Sequence, residues 1–119
     1  MYNQSAEHWF CELQRIWIEK DLKAIPTLLS ESFQYYESPF DLPLTTLEEV
    51  QNEWEAIKHQ NIKSLEIKLL GSEGNNGMAV YHFINEQTDG TLAESRGVYW
   101  VELDKSGKAT LFRQWWMNK

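Results

Sequence analysis

Cysteine is almost absent from this chain of 119 residues, with Cys11 as the single example. One cysteine excludes a disulfide within the chain, and it fits a reducing compartment. The segment Met1–Ser5 lacks the basic and apolar regions of a secretory signal. No apolar run approaches the roughly 20 residues that span a bilayer, so no membrane role is predicted. We therefore expect a cytoplasmic protein.

Basic residues are also few: 11 Lys and Arg stand against 18 Asp and Glu, and the net charge is −7 at pH 7. Such a surface repels phosphate backbones and anionic lipid, so neither nucleic acid nor a membrane is an expected partner. His8, His59 and His82 lie on three different predicted elements, and this spacing predicts no metal site. No glycine-rich phosphate loop precedes a helix, and no cofactor is expected.

Aromatic residues, in contrast, are abundant: six Trp, five Tyr and five Phe make up 13% of the chain. Each aromatic side chain buries about 150–250 Å², and such side chains commonly line pockets and interfaces. Two interpretations stay open. The aromatic residues form an ordinary small core, or they line a pocket for a partly apolar ligand.

The first half of the chain is predicted to be helical. An amphipathic stripe indicates a first helix over residues 5–19, and Asp21 is a candidate cap for a second, shorter helix. Thr46 and Glu49 form a capping-box pattern that begins a third helix, which extends to about residue 59. The stripe of the first helix consists of Trp9, Leu13, Ile16 and Trp17.

The second half is predicted to consist mainly of strands. Alternating apolar residues and an Asp89-Gly90 turn indicate a half-buried strand followed by a long hairpin and a last strand. The element order α-α-β-α-β-β-β-β predicts a single α+β domain over residues 1–119, with three helices packed on a curved antiparallel sheet. The predicted strands cover about residues 33–37, 64–69, 78–87, 91–103 and 108–117.

The Asp89-Gly90 hairpin decides which side chains share a face of the sheet. If Thr88 pairs with Thr91, His82 and Tyr99 lie on the face that looks into the fold. A shift of one residue would exchange the two faces of the strand.

Both faces of this hairpin carry large apolar residues in either register. One face covers the helices, and the other bears Val98 and Trp100 or Tyr99 and Val101. An exposed apolar sheet face usually marks an interface, so we expect a homodimer through this face. The alternative is that loops of the same subunit cover it.

Seven short stretches follow one another along the chain in a characteristic order and spacing. They include Lys20-Asp21-Leu22, Leu28-Leu29-Ser30-Glu31-Ser32-Phe33, Tyr36-Glu37-Ser38-Pro39-Phe40, Thr46-Leu47-Glu48-Glu49-Val50, Arg96-Gly97-Val98, Ser106-Gly107-Lys108 and Phe112-Arg113-Gln114-Trp115-Trp116. In order and spacing, over nearly the whole chain, they resemble the NTF2-like superfamily. The resemblance is greatest to its SnoaL-like members, which include ketosteroid isomerases and polyketide cyclases. It implies a cone-shaped α+β fold, open at one end, around a pocket, and dimers through the sheet.

The catalytic residues of ketosteroid isomerases carry over only in part. The family's helix 1 tyrosine has no counterpart within Leu13–Ile16, and Ser38 stands where the family has its general-base aspartate. A hydroxyl does not take a proton from carbon as a carboxylate does. The second acid of the family aligns near Tyr99, which can still donate a hydrogen bond.

His82 is the first candidate for catalysis. An imidazole in an apolar wall can act as acid or base near neutral pH, with Tyr99 as a hydrogen-bond donor. The alternative is a packed or outward-facing histidine. Glu37 and Asp41 flank the loop after the first strand, where a carboxylate can serve as a base or be solvated.

Large side chains with polar groups are the candidate ligand-binding residues. Such groups orient a ligand while they bury its apolar part, although each of them can equally belong to an ordinary core. Adjacent residues of a strand point to opposite sides, so only one of the two tyrosines can point inward. These candidates are Tyr35, Tyr36, Trp54, Gln114 and Trp116.

Two functional hypotheses follow from the sequence. The first is a SnoaL-like protein that binds a small apolar or aromatic molecule, with cofactor-free isomerisation, dehydration or cyclisation as candidate reactions. The second is a non-catalytic module that uses the cone for a ligand or the open sheet face for a protein. The serine at position 38 favours the second hypothesis, and the fold does not decide between them.

Overall fold

The first helix, α1, begins and ends at well-defined caps. The structure is a computed structural model, and it describes residues 5–119. The helix spans Ala6–Glu19, and the Ser5 hydroxyl accepts a hydrogen bond from the His8 amide at its start. It ends at Lys20, which has a left-handed φ of 56°. The predicted helix is confirmed, whereas the expectation about the start of the chain falls on residues 1–4, outside the described part.

The second predicted helix is a 3₁₀ helix, Leu22–Leu28, rather than an α-helix. Asp21 does not cap it, because the Asp21 carboxylate instead accepts a hydrogen bond from the Arg15 guanidinium. Pro26 lies inside this segment and lacks the amide that an α-helix needs, which favours a short 3₁₀ helix.

The third predicted helix consists of two consecutive parts. Helix α2, Leu47–Trp54, begins at the predicted capping box: the Thr46 hydroxyl accepts from the Glu49 amide, and the Glu49 carboxylate accepts from the Thr46 amide. A 3₁₀ helix, Glu55–His59, follows directly. Together they confirm the predicted extent of this helical region. No helix within the described range is long and apolar enough to cross a bilayer.

Five strands form one sheet in the spatial order β1-β5-β4-β3-β2. The two strands β1 and β5 run parallel, and the other neighbours run antiparallel, so the sheet is mixed rather than antiparallel throughout. The α+β class is confirmed. The strands are β1 Leu29–Tyr35, β2 Ile62–Glu73, β3 Asn76–Glu86, β4 Leu92–Leu103 and β5 Ala109–Asn118.

The register of β3 on β4 differs by one residue from the prediction, because His82 pairs with Arg96. The cause lies in the turn. The Gln87 amide donates to the Thr91 carbonyl, and the Gly90 amide donates to the Gln87 carbonyl, so three residues form the loop instead of two. Gly90 has a φ of +87°, which is typical of such three-residue hairpins.

The core fills the space between the helices and the inner face of the sheet. Trp9 of α1 packs on Phe112 of β5 with ring centroids 5.3 Å apart, and Phe10 stacks on Tyr99 of β4 at 6.3 Å. The Trp9 indole also donates to the Leu28 carbonyl and holds the first 3₁₀ helix against α1. These contacts pack α1 and the first 3₁₀ helix on the inner face of the sheet. A cleft remains between the helices and another part of the same face.

Gly97 of β4 allows Tyr81 of β3 to lie flat across the sheet. The two residues are register partners, and a Cβ at position 97 would overlap the Tyr81 ring and the Trp115 carbonyl oxygen. The absence of a side chain therefore positions the Tyr81 ring, which forms part of the cleft wall.

Candidate functional site

A cleft opens between the helices and the inner face of the sheet, and we call it the aromatic cleft. Its inner end has a volume of about 130 Å³, and its mouth has a volume of about 560 Å³. The two parts share Trp17, Glu37, Tyr99 and Gln114 as walls, so they form one continuous site. The remaining walls include Leu13, Tyr35, Glu53, Trp54, Ile57 and Phe112 at the inner end, and Tyr81, Phe83, Asn85, Ser95 and Trp116 at the mouth.

Glu37 reaches the cleft because the chain stays extended beyond β1. The Tyr36 amide donates to the Phe112 carbonyl, so Glu37 lies on the same side as Tyr35 by strand alternation. The Trp116 indole donates to the Glu37 carbonyl oxygen at 2.8 Å and fixes the backbone there.

The two oxygens of the Glu37 carboxyl group have different surroundings. Glu37 Oε2 lies 3.4 Å from Gln114 Nε2, which also donates to the Tyr36 carbonyl oxygen at 3.0 Å. Glu37 Oε1 is buried and has no hydrogen-bond partner among residues 5–119. A buried carboxylate oxygen without a donor is costly, and a ligand that supplies a donor relieves this cost.

The surroundings of Glu37 also raise the pKa of its carboxyl group from 4.5 to about 7. Burial is the largest cause, and the negative charge of Glu53 on α2 is the second. The Gln114 hydrogen bond acts in the opposite direction, while the closeness of the Glu53 carboxyl group, which favours a shared proton, and the charge of Asp41 add smaller increases. At neutral pH the carboxyl group is therefore present in both protonation states, as a group that gives and accepts protons requires.

Tyr99 places a phenol in both parts of the cleft. Its ring stacks on Tyr81 with centroids 4.8 Å apart and contacts Phe112 at 5.1 Å. Burial raises the pKa of the Tyr99 hydroxyl well above 10, so the group stays protonated and can donate. No hydrogen bond involves this hydroxyl within the described part of the chain.

Tyr35 is oriented differently from Tyr99, because its hydroxyl accepts a hydrogen bond from the Trp54 indole at 3.0 Å. This contact joins β1 to α2 at the inner end of the cleft. Burial and the charge of Glu37 raise the pKa of Tyr35 above its ordinary value, so this phenol also stays protonated. Tyr35 therefore supports the wall and keeps its own proton.

The structure brings most of the predicted site residues together. Tyr35, Trp54, Tyr99, Gln114 and Trp116 all line the aromatic cleft. Among the candidate ligand-binding residues, Tyr36 is the exception: it lies on the other side of the strand, where the Arg113 guanidinium packs over its ring at 4.1 Å.

His82 does not look into the cleft, and that prediction is wrong. Because of the three-residue loop, His82 and its partner Arg96 lie on the outer face of the sheet. His82 Nε2 lies 2.6 Å from Glu94 Oε2 and not near Glu37 or Tyr99 of the cleft. Asp41 is exposed in the loop after β1 and acts on the cleft only through its charge.

Several residues of the cleft escape sequence reasoning. Glu53, Asn85 and Trp17 have no predicted role, and Tyr81 is assigned to the wrong face. The alternation of β1 could have favoured Glu37 over Asp41, because it groups Glu37 with Tyr35. The approach of Glu53 depends on how α2 packs on the sheet, for which the sequence has no local signal.

The described residues contain no candidate metal site, because no three His, Cys, Asp or Glu side chains are placed to hold one ion. The groups in the cleft that can react are carboxyl and phenol groups. Their chemistry is proton transfer and hydrogen bonding to a ligand oxygen or nitrogen.

Comparisons of the coordinates with solved structures show that this fold recurs in proteins of low sequence identity. SalBIII, described as an epoxide hydrolase/cyclase-like enzyme in pyran ring formation in the polyether salinomycin, matches 93% of this chain and 89% of its own, with a TM-score of 0.80 and 14% identity. A Mycobacterium tuberculosis protein in complex with estradiol-17beta-hemisuccinate matches 87% of each chain, with a TM-score of 0.72 and 17% identity. The Delta 5-3-ketosteroid isomerase from Mycobacterium sp. matches 89% of this chain and 92% of its own, with a TM-score of 0.71 and 13% identity.

At these identities the comparisons establish the fold, and they confirm the fold that the sequence resemblance implies. By sequence alone, no protein-family model and no curated protein matches this chain.

Proposed function

We propose that this chain, which has the NTF2-like fold, binds a small, partly apolar molecule in the aromatic cleft and exchanges a proton with it through Glu37. The observation that carries the proposal is the Glu37 carboxyl group, which has one buried oxygen without a partner and a pKa of about 7 beside an open cavity. A mouth of about 560 Å³ lies within the usual 300–1,000 Å³ of small-molecule sites.

The proposed chemistry uses two groups of the chain. Glu37 takes a proton from an acidic position of the ligand and returns it to another, which is the core of an isomerisation, dehydration or cyclisation. Tyr99 donates a hydrogen bond to the ligand oxygen that gains negative charge as the proton leaves. His82 has no part in this reaction, because it lies on the other face of the sheet.

The remaining cleft residues hold the ligand and Glu37. Trp54 and Trp116 form apolar walls whose indole groups already bond to Tyr35 and to the Glu37 backbone. Gln114 orients the carboxyl group. The M. tuberculosis protein of the same fold is in complex with a steroid ester, which supports a ligand with a large apolar part for this cleft.

Ligand binding can be tested with estradiol and 2-naphthol as probes. The indole N–H signals of Trp54 and Trp116, measured by ¹⁵N NMR, should shift on addition of either probe, because these residues line the cleft. Trp100 is the internal control, since its indole bonds to Glu102 near the outer face. Shifts at Trp100 alone, or no shifts with both probes, would contradict binding in the cleft.

Proton exchange can be tested with 2-tetralone, a small apolar ketone. The protein should accelerate deuterium uptake at the α-carbons from D₂O, and Glu37→Gln should lower that acceleration about 100-fold or more. Uptake at the buffer rate, together with binding in the cleft, would favour the non-catalytic module instead. The observation that favours the non-catalytic module is Ser38, which stands at the position of the general base in the ketosteroid isomerases that the sequence resembles.

We also propose that the chain forms a homodimer through the outer face of the sheet. Met78, Trp115 and Met117 lie on that face and are 38%, 41% and 75% exposed. Apolar side chains gathered in this way favour an interface. Light scattering at tens of micromolar should give twice the monomer mass, and Trp115→Glu should give the monomer. Cytoplasmic location stays a prediction.

A further inference from the structure

The hydrogen-bond donors around the aromatic cleft are largely used within the protein. The Trp17 indole donates to Gln60 Oε1 at 2.8 Å, and the Trp54 indole donates to the Tyr35 hydroxyl. The Trp116 indole and the Gln114 amide donate to backbone oxygens after β1. These four groups are therefore satisfied before any ligand arrives.

Apart from the Tyr99 hydroxyl, the oxygens of the cleft that are left without partners are acceptors. Glu37 Oε1 and Asn85 Oδ1 are the two buried side-chain polar atoms that have no hydrogen bond within residues 5–119, and both residues line the mouth of the cleft. An unpaired buried acceptor costs about 1–3 kcal/mol, so a ligand that brings donors to these oxygens is favoured. A ligand that brings only acceptors is disfavoured at the same place.

The charges around the cleft also favour a ligand that donates hydrogen bonds, and in particular a cation. Glu53 lines the inner end of the cleft together with Glu37, and Asp41 adds to the negative potential at Glu37. Lys119 is the single cationic side chain along the walls in the described range, and it is 82% exposed and lies 3.7 Å from Glu94. The net charge of −7 also attracts cations over longer distances.

The aromatic walls are suited to a cation as well. Trp17, Phe83 and Tyr81 form a cluster at the mouth, with ring centroids 4.8 Å apart between Trp17 and Phe83 and 6.2 Å apart between Trp17 and Tyr81. The faces of such rings attract ammonium groups within about 6 Å, and they also pack on apolar carbon.

We infer that the ligand of the aromatic cleft carries a protonated amine on an apolar body, with its N–H groups directed to Glu37 Oε1 and Asn85 Oδ1. This inference rests on the proposed function, because it names the chemical class of ligand for the same site. It also fits the position of Glu53 beside Glu37: the positive charge of an ammonium group offsets the Glu53 charge, which raises the pKa of Glu37.

Three probes with the same ring system test the inference: 2-aminotetralin, 2-tetralol and tetralin-2-carboxylate, which are cationic, neutral and anionic. At about pH 8, the amine should bind at least tenfold more tightly than the alcohol, and the carboxylate should bind most weakly. Glu53→Gln should reduce the preference for the amine to less than about threefold. Glu48→Gln is the matched control, because Glu48 lies exposed on the same helix and should keep the full preference.

Proton release is the second measurement. Glu37 faces Glu53, Asp41, Tyr35, Tyr99 and Gln114, and the pKa of its carboxyl group is about 7. A bound ammonium group favours the ionised carboxylate, so binding of 2-aminotetralin near pH 7 should release a fraction of a proton. Calorimetry in phosphate and Tris buffers measures this release, which Glu37→Gln should abolish.

The outcomes separate this inference from the proposed function. Equal or tighter binding of 2-tetralol would overturn the amine inference and leave small-molecule binding in the cleft intact. Failure of all three probes to bind, with estradiol and 2-naphthol also failing, would overturn both. An amine preference that Glu48→Gln lowers as much as Glu53→Gln would also overturn the inference, because it would come from the general surface charge.

Discussion

Gln114 Nε2 lies 3.4 Å from Glu37 Oε2 and holds one oxygen of that carboxyl group, while the other oxygen is left to the cleft. The same amide group donates to the Tyr36 carbonyl, so its orientation is fixed by the backbone after β1. A carboxyl group held on one side and unpaired on the other is poised for a ligand proton.

The stability of the protein should depend on pH through Glu37. The pKa of Glu37 is raised from 4.5 to about 7, so the folded protein binds more protons than the unfolded chain between these pH values. Stability from this group is therefore present in acid and is lost as the pH rises through about 7. Between about pH 5 and pH 8, the wild type should lose about 1–2 kcal/mol relative to Glu37→Gln, after allowance for solvent screening.

Denaturant unfolding at both pH values measures this difference. The control is Glu48→Gln, which removes an exposed carboxylate from α2 and should follow the wild type at both values. Parallel pH profiles for the wild type and Glu37→Gln would show that Glu37 titrates as an ordinary surface carboxyl group.

Removal of single hydroxyl groups should separate Tyr35 from Tyr99. Tyr35→Phe leaves the buried Trp54 indole without its acceptor, and the free energy of unfolding should fall by about 1–3 kcal/mol. Tyr99→Phe keeps the stacked ring and removes a hydroxyl without a protein partner, so stability should change by less than about 0.5 kcal/mol.

For deuterium exchange, Tyr99→Phe should have a large effect, although its effect on stability is small. Tyr99→Phe should slow deuterium uptake by 2-tetralone at least tenfold, because the donor to the ligand oxygen is lost. If Tyr99→Phe proved as destabilising as Tyr35→Phe, its hydroxyl would have a structural partner and its proposed role would lose its basis. Thermal unfolding and exchange rates on both variants decide this.

Gly97 should tolerate no side chain. A Cβ there overlaps the Tyr81 ring and the Trp115 carbonyl oxygen, so Gly97→Ala should cost about 1–3 kcal/mol or more of stability and displace Tyr81. Gly71→Ala is the matched control, because nothing lies within 4 Å of its added Cβ. Chemical denaturation of both variants compares the two costs, and a Gly97→Ala protein as stable as Gly71→Ala would contradict the observed β3–β4 register.

His82 should be dispensable for the cleft. His82→Gln changes the contact with Glu94 on the outer face and leaves the cleft walls in place. The affinity for 2-naphthol and the exchange rate of 2-tetralone should therefore stay within about twofold of the wild type. If His82→Gln folded normally but lost most of the deuterium exchange with 2-tetralone, His82 would have a role in the reaction.

Local signals explain which parts of the fold are predictable from the sequence. Ser5 begins α1, and the Thr46–Glu49 capping box begins α2, because each cap depends only on residues within the first helical turn. The parallel pairing of β1 with β5 has no such signal, since the two strands are far apart in sequence.

The site is less predictable for the same physical reason. A hairpin loop with one residue more than expected moved His82 to the outer face, and no local pattern separates the two loop lengths decisively. Tyr35, Trp54 and Gln114, which are candidates because of their large side chains with polar groups, lie together in one wall of the cleft. The approach of Glu53 to Glu37, which raises the pKa of Glu37, depends on the packing of α2 and follows only from the tertiary structure.

The most direct measurement of the central claim is the titration of the Glu37 carboxyl group itself. In protein labelled with ¹³C at glutamate side-chain carboxyl carbons, the Glu37 signal is assigned by its loss in Glu37→Gln. The midpoint of its titration should lie near 7, and it should move to lower pH on addition of 2-aminotetralin. A midpoint near the ordinary 4.5, unchanged by the amine, would contradict an acid–base group in a ligand-binding cleft.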